Sequence, residues 1–126
     1  MKHAHGNSLI KQAEKVCAEH GTRLTDLRKS VLNLISKSDR ATKAYDILDA
    51  LRPAHPAAKP ITVYRALDFL IDERLIHRIE SLSAFTPCHH PGESHSCQFF
   101  ICTSCDKVHE ICNPAIDRAI SKSAED

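Results

Sequence analysis

The segment from Pro60 to Thr86 constrains the fold more than any other. Proline is tolerated in the first turn of a helix, where its missing N–H would have no partner anyway, and Thr62 can assist the cap. At ~100° per residue, Val63, Ala66, Leu67, Leu70 and Ile71 cluster on one side of the wheel. Arg65, Asp68 and Asp72 point the other way, with Tyr64 at the border. The spacing predicts a helix from Pro60 to about Arg74. Two short strand-like runs follow, 75–80 and 84–86, with Ser81, Leu82 and Ser83 as the turn between them. Helices closed by a hairpin form the winged-helix arrangement, in which the last helix before the hairpin usually enters the major groove of DNA.

The upstream sequence supplies the other helices. Ser8 can cap a helix running to His20, with Leu9, Ile10, Ala13, Val16 and Cys17 on one face and Gly21 ending it. Thr25 can cap a second, with Leu27, Val31, Leu32, Leu34 and Ile35 as its apolar stripe. Thr42 can cap a short third, with Ala44, Tyr45, Ile47, Leu48 and Leu51 inward, before the loop bracketed by Pro53 and Pro56. Downstream, 98–101 and 107–111 are strand-like and flank Cys102-Thr-Ser-Cys105. A last helix is expected from Asn113 or Pro114.

Composition matters here through its asymmetry. Of the 126 residues, 1–80 carry 14 Lys/Arg and 10 Asp/Glu, whereas 81–126 carry 3 and 6. Five of the six cysteines follow residue 85, and five of the nine histidines lie between 77 and 110. A mildly basic half followed by an acidic half rich in Cys and His suggests polyanion contact, then metal binding. No apolar run approaches the ~18 residues of a membrane span. The polar start, Met1-Lys-His-Ala-His-Gly-Asn, is unlike a secretory signal. We therefore expect a cytoplasmic protein with no membrane partner, whose thiols serve as metal ligands or redox groups rather than structural disulfides.

Cys102 and Cys105 have the spacing of a zinc knuckle, in which two thiolates face one ion. A thioredoxin-like pair fits less well, because no βαβ pattern surrounds it. Inert buried thiols are the third reading. His77, Cys88, His89, His90, His95, Cys97, His109 and Glu110 form a looser set of N, S and O donors, a mixture that suits zinc better than magnesium or calcium. Each histidine taken alone is as readily a surface or core imidazole. Tyr64 and Arg65 can read base edges and phosphates. Equally, Arg65 can pair with Asp68 or Asp72 on a solvated face. The sequence has no HExxH, no GxSxG and only three glycines, so neither catalysis nor a small-molecule substrate is expected.

The run Ala58-Lys-Pro-Ile-Thr-Val-Tyr-Arg-Ala-Leu-Asp-Phe-Leu70 resembles the recognition helix of the ferric uptake regulator (Fur) family. So does Arg23-Leu-Thr-Asp-Leu-Arg28 followed by Val31-Leu32. Phe99-Phe-Ile-Cys-Thr-Ser-Cys105 with Glu110 is similar to the start of that family's dimerisation domain. The likeness covers nearly all of residues 8–120. Glu93-Ser-His-Ser-Cys97 stands where iron sensors carry His-His-Asp-His, and the sequence is most similar to the zinc-uptake branch.

The resemblance implies an α+β fold: a winged-helix DNA-binding domain over 1–83, then a hinge and a small α/β zinc-binding dimerisation domain over 84–126. It implies a zinc-responsive repressor that binds, as a homodimer, the palindromic operators of zinc-uptake genes in double-stranded DNA. His77, Cys88, His95 and Glu110 would hold a regulatory zinc ion. Cys102 and Cys105 would supply half of a structural site. Tyr64, Arg65, Arg23, Thr62 and Arg28 would face DNA, and the Asp49/Arg52 pair would sit within one helix or join neighbouring dimers. An iron- or manganese-sensing regulator, or a zinc-binding interaction or redox module that does not bind DNA, are the alternatives.

Three departures from the family pattern stand out. Asp26-Leu27 replaces the usual Pro-Gln and removes one polar side chain facing DNA. Cys97 and Cys112 are extra thiols that compete as ligands. Family members usually continue past the last helix into a further strand and often a second CxxC, so with the sequence ending at Asp126 the structural zinc site and the dimerisation domain are expected to be incomplete.

Overall fold

The computed structural model describes residues 2–92, 98–111 and 113–125. It is an α+β fold with helices α1 (Lys2–His20), α2 (Asp26–Ser36), α3 (Ala44–Leu51), α4 (Pro60–Asp72) and α5 (Pro114–Glu125). Among the described residues five strands accompany them: β1 (Thr42–Lys43), β2 (Ile76–Ile79), β3 (Ala84–Pro87), β4 (Gln98–Ile101) and β5 (Val108–Ile111). Among the described residues no helix is long and apolar enough to cross a membrane.

The helical stripes read from the sequence meet in one core. Val31, Leu32 and Ile35 of α2, Ile47, Leu48 and Leu51 of α3, and Val63, Ala66, Leu67 and Leu70 of α4 are buried together. Leu9, Ala13, Val16 and Cys17 of α1 close it from one side. Each fully buried Leu or Ile contributes about 1.5–3 kcal/mol by leaving water, so this cluster dominates the stability of the first ninety residues. Thr25 caps α2 as expected, its Oγ1 accepting from the Arg28 N–H at 3.4 Å. Pro60 opens α4, and Thr62 Oγ1 accepts from the Lys59 N–H at 3.2 Å. The end of α4 is a sharp reversal. Arg74 takes a left-handed conformation (φ 60°) and the Leu75 N–H reaches back to the Leu70 carbonyl at 2.9 Å, the pattern of a Schellman cap.

The reversal feeds the hairpin. β2 and β3 pair antiparallel with His77 opposite Thr86 and Arg78 opposite Phe85. Glu80–Leu82 form one 3-10 turn, and Ser83 turns the corner with φ 48°. β3 is the central strand of a three-stranded sheet in the order β1-β3-β2. The third strand departs from the sequence reading: Thr42 does not cap α3 but pairs with Phe85, and α3 begins without a side-chain cap. Tyr45 also departs from it. It is 72% exposed, because it lies ~200° around the wheel from Ile47, which takes the inward side with Leu48 and Leu51. α1 begins at Lys2, upstream of the Ser8 cap, since no proline interrupts that stretch.

β4 and β5 make a second, two-stranded sheet with Phe99 opposite Glu110. An isolated bridge between Arg40 and Lys107, and a 3.6 Å ion pair from Lys107 Nζ to Asp39, join its turn to the segment before β1. The chain returns from β3 along the helical body. The Cys88 N–H donates to the Leu75 carbonyl and the Gly92 N–H to the Arg74 carbonyl, both at 3.0 Å. Glycine is required at 92. Its φ is +79°, and a Cβ there would stand 2.8 Å from a methyl of Val16 on α1.

Candidate metal centre and nucleic-acid interface

Three of the four residues expected to hold a regulatory ion come together. His77 sits on β2, Cys88 just after β3 and Glu110 on β5, and their donor atoms all lie within 4.8 Å of one another. Among the described residues this is the one group of three or more such donors. His95 and the extra thiols Cys97 and Cys112 lie outside the described residues. Pairing explains the geometry: β2 places His77 beside β3, which delivers Cys88, and the β4–β5 register turns Glu110 and Phe99 to the same face. The Phe99 ring meets the His77 ring edge-on, with centroids 5.3 Å apart. That contact fixes the imidazole plane.

The cluster is held by its own charges. His77 Nε2 lies 2.6 Å from Glu110 Oε1, and the Glu110 side chain is almost wholly buried. The His89 N–H donates to Glu110 Oε2 at 3.2 Å, and the His90 N–H points at Cys88 Sγ at 3.3 Å. Burial alone would lower the pKa of His77, but hydrogen bonding to Cys88 and Glu110, and their charges, raise it to about 9. Burial would raise Glu110, but the hydrogen bond and charge of His77, with the His89 N–H, hold it below the ordinary carboxylate value.

This donor set fits zinc: one imidazole, one thiol and one carboxylate, convergent and shielded from water. Donors on one tetrahedral zinc stand roughly 3.3–3.7 Å apart. The His77–Glu110 contact is shorter than that, so zinc loading would replace it. His77, Cys88 and Glu110 would hold the ion.

Cys102 and Cys105 lie in the turn between β4 and β5. The Cys102 N–H donates to the Lys107 carbonyl at 2.9 Å and the Asp106 N–H to the Cys102 carbonyl at 2.8 Å, with Asp106 left-handed at φ 59°. Cys105, and the backbone N–H groups of Ser104 and Cys105, stabilise the Cys102 thiolate and lower its pKa. Both cysteines are free, Cys102 is exposed, and among the described residues no third donor joins them. Cys17 is a core residue instead, its thiol pushed up by burial.

The expected DNA-facing residues divide into two groups. Tyr64, 54% exposed, and Arg65, also exposed, stand on the outer face of α4. Among the described residues Arg65 makes no ion pair, so the solvated pairing with Asp68 or Asp72 does not form. Arg23 is exposed in the loop before α2. Thr62 is engaged in the α4 cap. Arg28 is engaged within the protein, its guanidinium donating to the Arg23 carbonyl at 2.8 Å and lying 3.8 Å from the centre of the Phe69 ring. Asp49 of α3 pairs with Arg52, the C-cap residue of the same helix, at 3.9 Å. Phe99, Gly92 and the backbone of His89 and His90 were not singled out from sequence. The alternation that sets Phe99 beside Glu110 was available as a signal, whereas the backbone contacts had none.

Known proteins share this fold. The chain is 46% identical over 110 residues to the zinc uptake regulation protein of Escherichia coli, a match that takes in 86% of the chain and 64% of that protein. A solved zinc uptake regulator complexed with zinc and DNA superposes with a TM-score of 0.89 at 43% identity, over 95% of this chain and 81% of that one. Holo XcZur gives 0.84 at 40% identity (94% and 83% covered), whereas the apo form of XcZur gives 0.66 at 38% (97% and 84%). Residues 19–126 match the ferric uptake regulator family, and the chain belongs to that family.

Proposed function

We propose that the chain acts as a zinc-responsive transcriptional repressor. In this reading it works in the cytoplasm, without catalysis, as a homodimer on palindromic operators in double-stranded DNA of zinc-uptake genes. Zinc is its co-repressor. The observation that carries the reading is the convergence of His77, Cys88 and Glu110 from three separate elements. Cys88 favours zinc over iron or manganese, because thiolate is the softer donor. The greater likeness to the holo than to the apo form of XcZur supports the same reading.

The mechanism follows from where the ligands sit. Residues 1–83 form the DNA-contacting unit and 84–126 the hinge and dimerisation unit in this proposal, with β3, the central strand of the first sheet, joining the two. His77 belongs to the hairpin of the first unit, Cys88 to the hinge and Glu110 to the second sheet. Zinc, when bound, supplies coordinate bonds that are best satisfied with all its ligands together, His95 included. The chain therefore favours one orientation of α4 relative to β4–β5 when the site is loaded. Moving a population from mostly open to mostly closed takes about 5.5 kcal/mol of differential binding, and structural zinc sites reach ~10 kcal/mol or more. In a symmetric dimer two α4 helices would then meet successive major grooves, with Tyr64 and Arg65 toward the bases and Arg23 toward phosphate. Cys102 and Cys105 would contribute to a second, structural zinc site.

The test is binding to duplexes selected from a random-sequence pool by the chain, stripped with chelator and then titrated with zinc. Zinc should raise affinity for the selected duplex by about 5–150-fold, the usual range of a coupling energy. Equal affinity with and without zinc, or failure to select any duplex, would overturn the proposal.

A further inference from the structure

We infer that Arg28 is a positioning residue for the DNA-facing surface and not a phosphate contact. Its guanidinium ties the loop bearing Arg23 to α2 and rests on Phe69 of α4, so that loop and recognition helix keep one spacing. The inference rests on the DNA-binding reading above.

Arg28 occupies the first turn of α2, where its own N–H satisfies the Thr25 cap. Its Nη1 donates to the Arg23 carbonyl at 2.8 Å. The central carbon of the guanidinium lies 3.8 Å from the centre of the Phe69 ring, close enough for a cation–π contact. Phe69 is itself packed against the helical core. One side chain thus touches the 21–25 loop and α4 from α2. The guanidinium spreads its donors and its charge over several atoms and so serves both contacts at once, whereas lysine keeps the charge but concentrates it on one nitrogen. Arg65 offers the contrast, exposed on α4 without an ion pair among the described residues. The two arginines would be indistinguishable by charge alone. Contact geometry assigns one to the ligand and the other to the frame.

The experiment uses the full zinc-loaded chain and the duplex that it selects from a random-sequence pool. Affinity is measured against salt concentration for wild type, Arg28→Lys, Arg28→Met and Phe69→Leu. Backbone amide exchange of residues 22–25 is followed without DNA. A positioning role predicts that Arg28→Lys binds about tenfold more weakly despite its charge, with the salt slope unchanged and faster exchange in the loop. Phe69→Leu, which alters no charge, should show the same pattern. A phosphate contact predicts that Arg28→Lys binds like wild type and that Arg28→Met loses about 0.9 from the salt slope. Either of those results, or wild-type affinity in Phe69→Leu, overturns the inference while leaving DNA binding intact. A wild-type chain that selects no duplex overturns the DNA-binding reading and this inference with it, whatever the loop exchange shows.

Discussion

Two regions of this molecule collect sulfur, and they are built in opposite ways. Cys102 and Cys105 come from one turn, near each other because a hairpin of that length brings them together, and Cys102 faces water. Cys88 is 2% exposed, and His77 and Glu110 reach it from two different sheets. The first arrangement forms wherever the hairpin forms. The second exists only while the wing, the hinge segment and the second hairpin hold one mutual arrangement. A metal on the turn therefore stabilises the turn, whereas a metal on the distant triad reports how the parts are disposed. That difference would suit the triad to the regulatory role proposed for it.

The largest effect that can break the comparison is removal of the central sulfur. Cys88→Ser should lower zinc affinity at the triad by at least about 100-fold, read by competition with a chromogenic chelator. Cys102→Ser should leave that affinity unchanged. If both variants weaken the same zinc equally, the two regions are one site and the comparison fails.

A second test addresses the 88–92 segment that carries Cys88. Gly92 and Gly21 both have positive φ, yet only Gly92 would drive a Cβ into Val16, while Gly21 has open space. Gly21→Ala should cost about 1 kcal/mol, the conformational part alone. Gly92→Ala adds overpacking and should cost about 2–4 kcal/mol, measured by urea denaturation of the metal-free chain. Equal losses would mean that the 88–92 segment does not rest on α1.

Much of this was legible in the sequence, and the reason is locality. The apolar stripes of α2 and α4, the Thr25 cap and the CxxC turn are encoded by residues a few positions apart. β1 was not legible: two residues show no alternation, and Thr42 and Lys43 become a strand only because β3 lies beside them. Tyr45 was misplaced because a helix of eight residues gives too little periodicity to orient its first turn. The triad was reachable only through resemblance. Nothing in the spacing of 77, 88 and 110 requires convergence, since the donors sit on or beside two separate sheets. Arg28 shows the reverse case, in which a residue type that suits DNA is engaged by a carbonyl and an aromatic ring of its own protein.

Titration sharpens the comparison at a smaller scale. With the His77 pKa raised to about 9 in the metal-free chain, most His77 is protonated at neutral pH, and zinc binding must expel that proton. This proton alone should make zinc affinity fall by up to about tenfold per pH unit as pH drops below 9. Calorimetry in two buffers of different ionisation heat would count the proton released. Metal-free stability has the opposite sign. A histidine whose pKa rises on folding from 6.5 to about 9 contributes stability that is full below 6.5 and lost as pH rises through 9. His77→Gln should flatten both curves, and a wild-type chain that releases no proton on loading near pH 7 would show that the triad is not where zinc binds.

The smallest expected effect decides how separate the two sulfur regions are. Lys107 follows the CxxC turn and pairs with Asp39 at 3.6 Å, both side chains well exposed, while its backbone bridges to Arg40. An exposed pair of this kind contributes about 0–1 kcal/mol, and the backbone bridge survives truncation of the side chain. Lys107→Ala should therefore change denaturant stability by less than about 1 kcal/mol and leave triad zinc affinity where it was. Glu110, however, rides on the same hairpin as Lys107. If Lys107→Ala weakens zinc at the triad by about tenfold or more, the ion pair is holding the hairpin in the orientation that brings Glu110 to His77. The exposed turn would then be the mechanical anchor of the buried site, not an independent one.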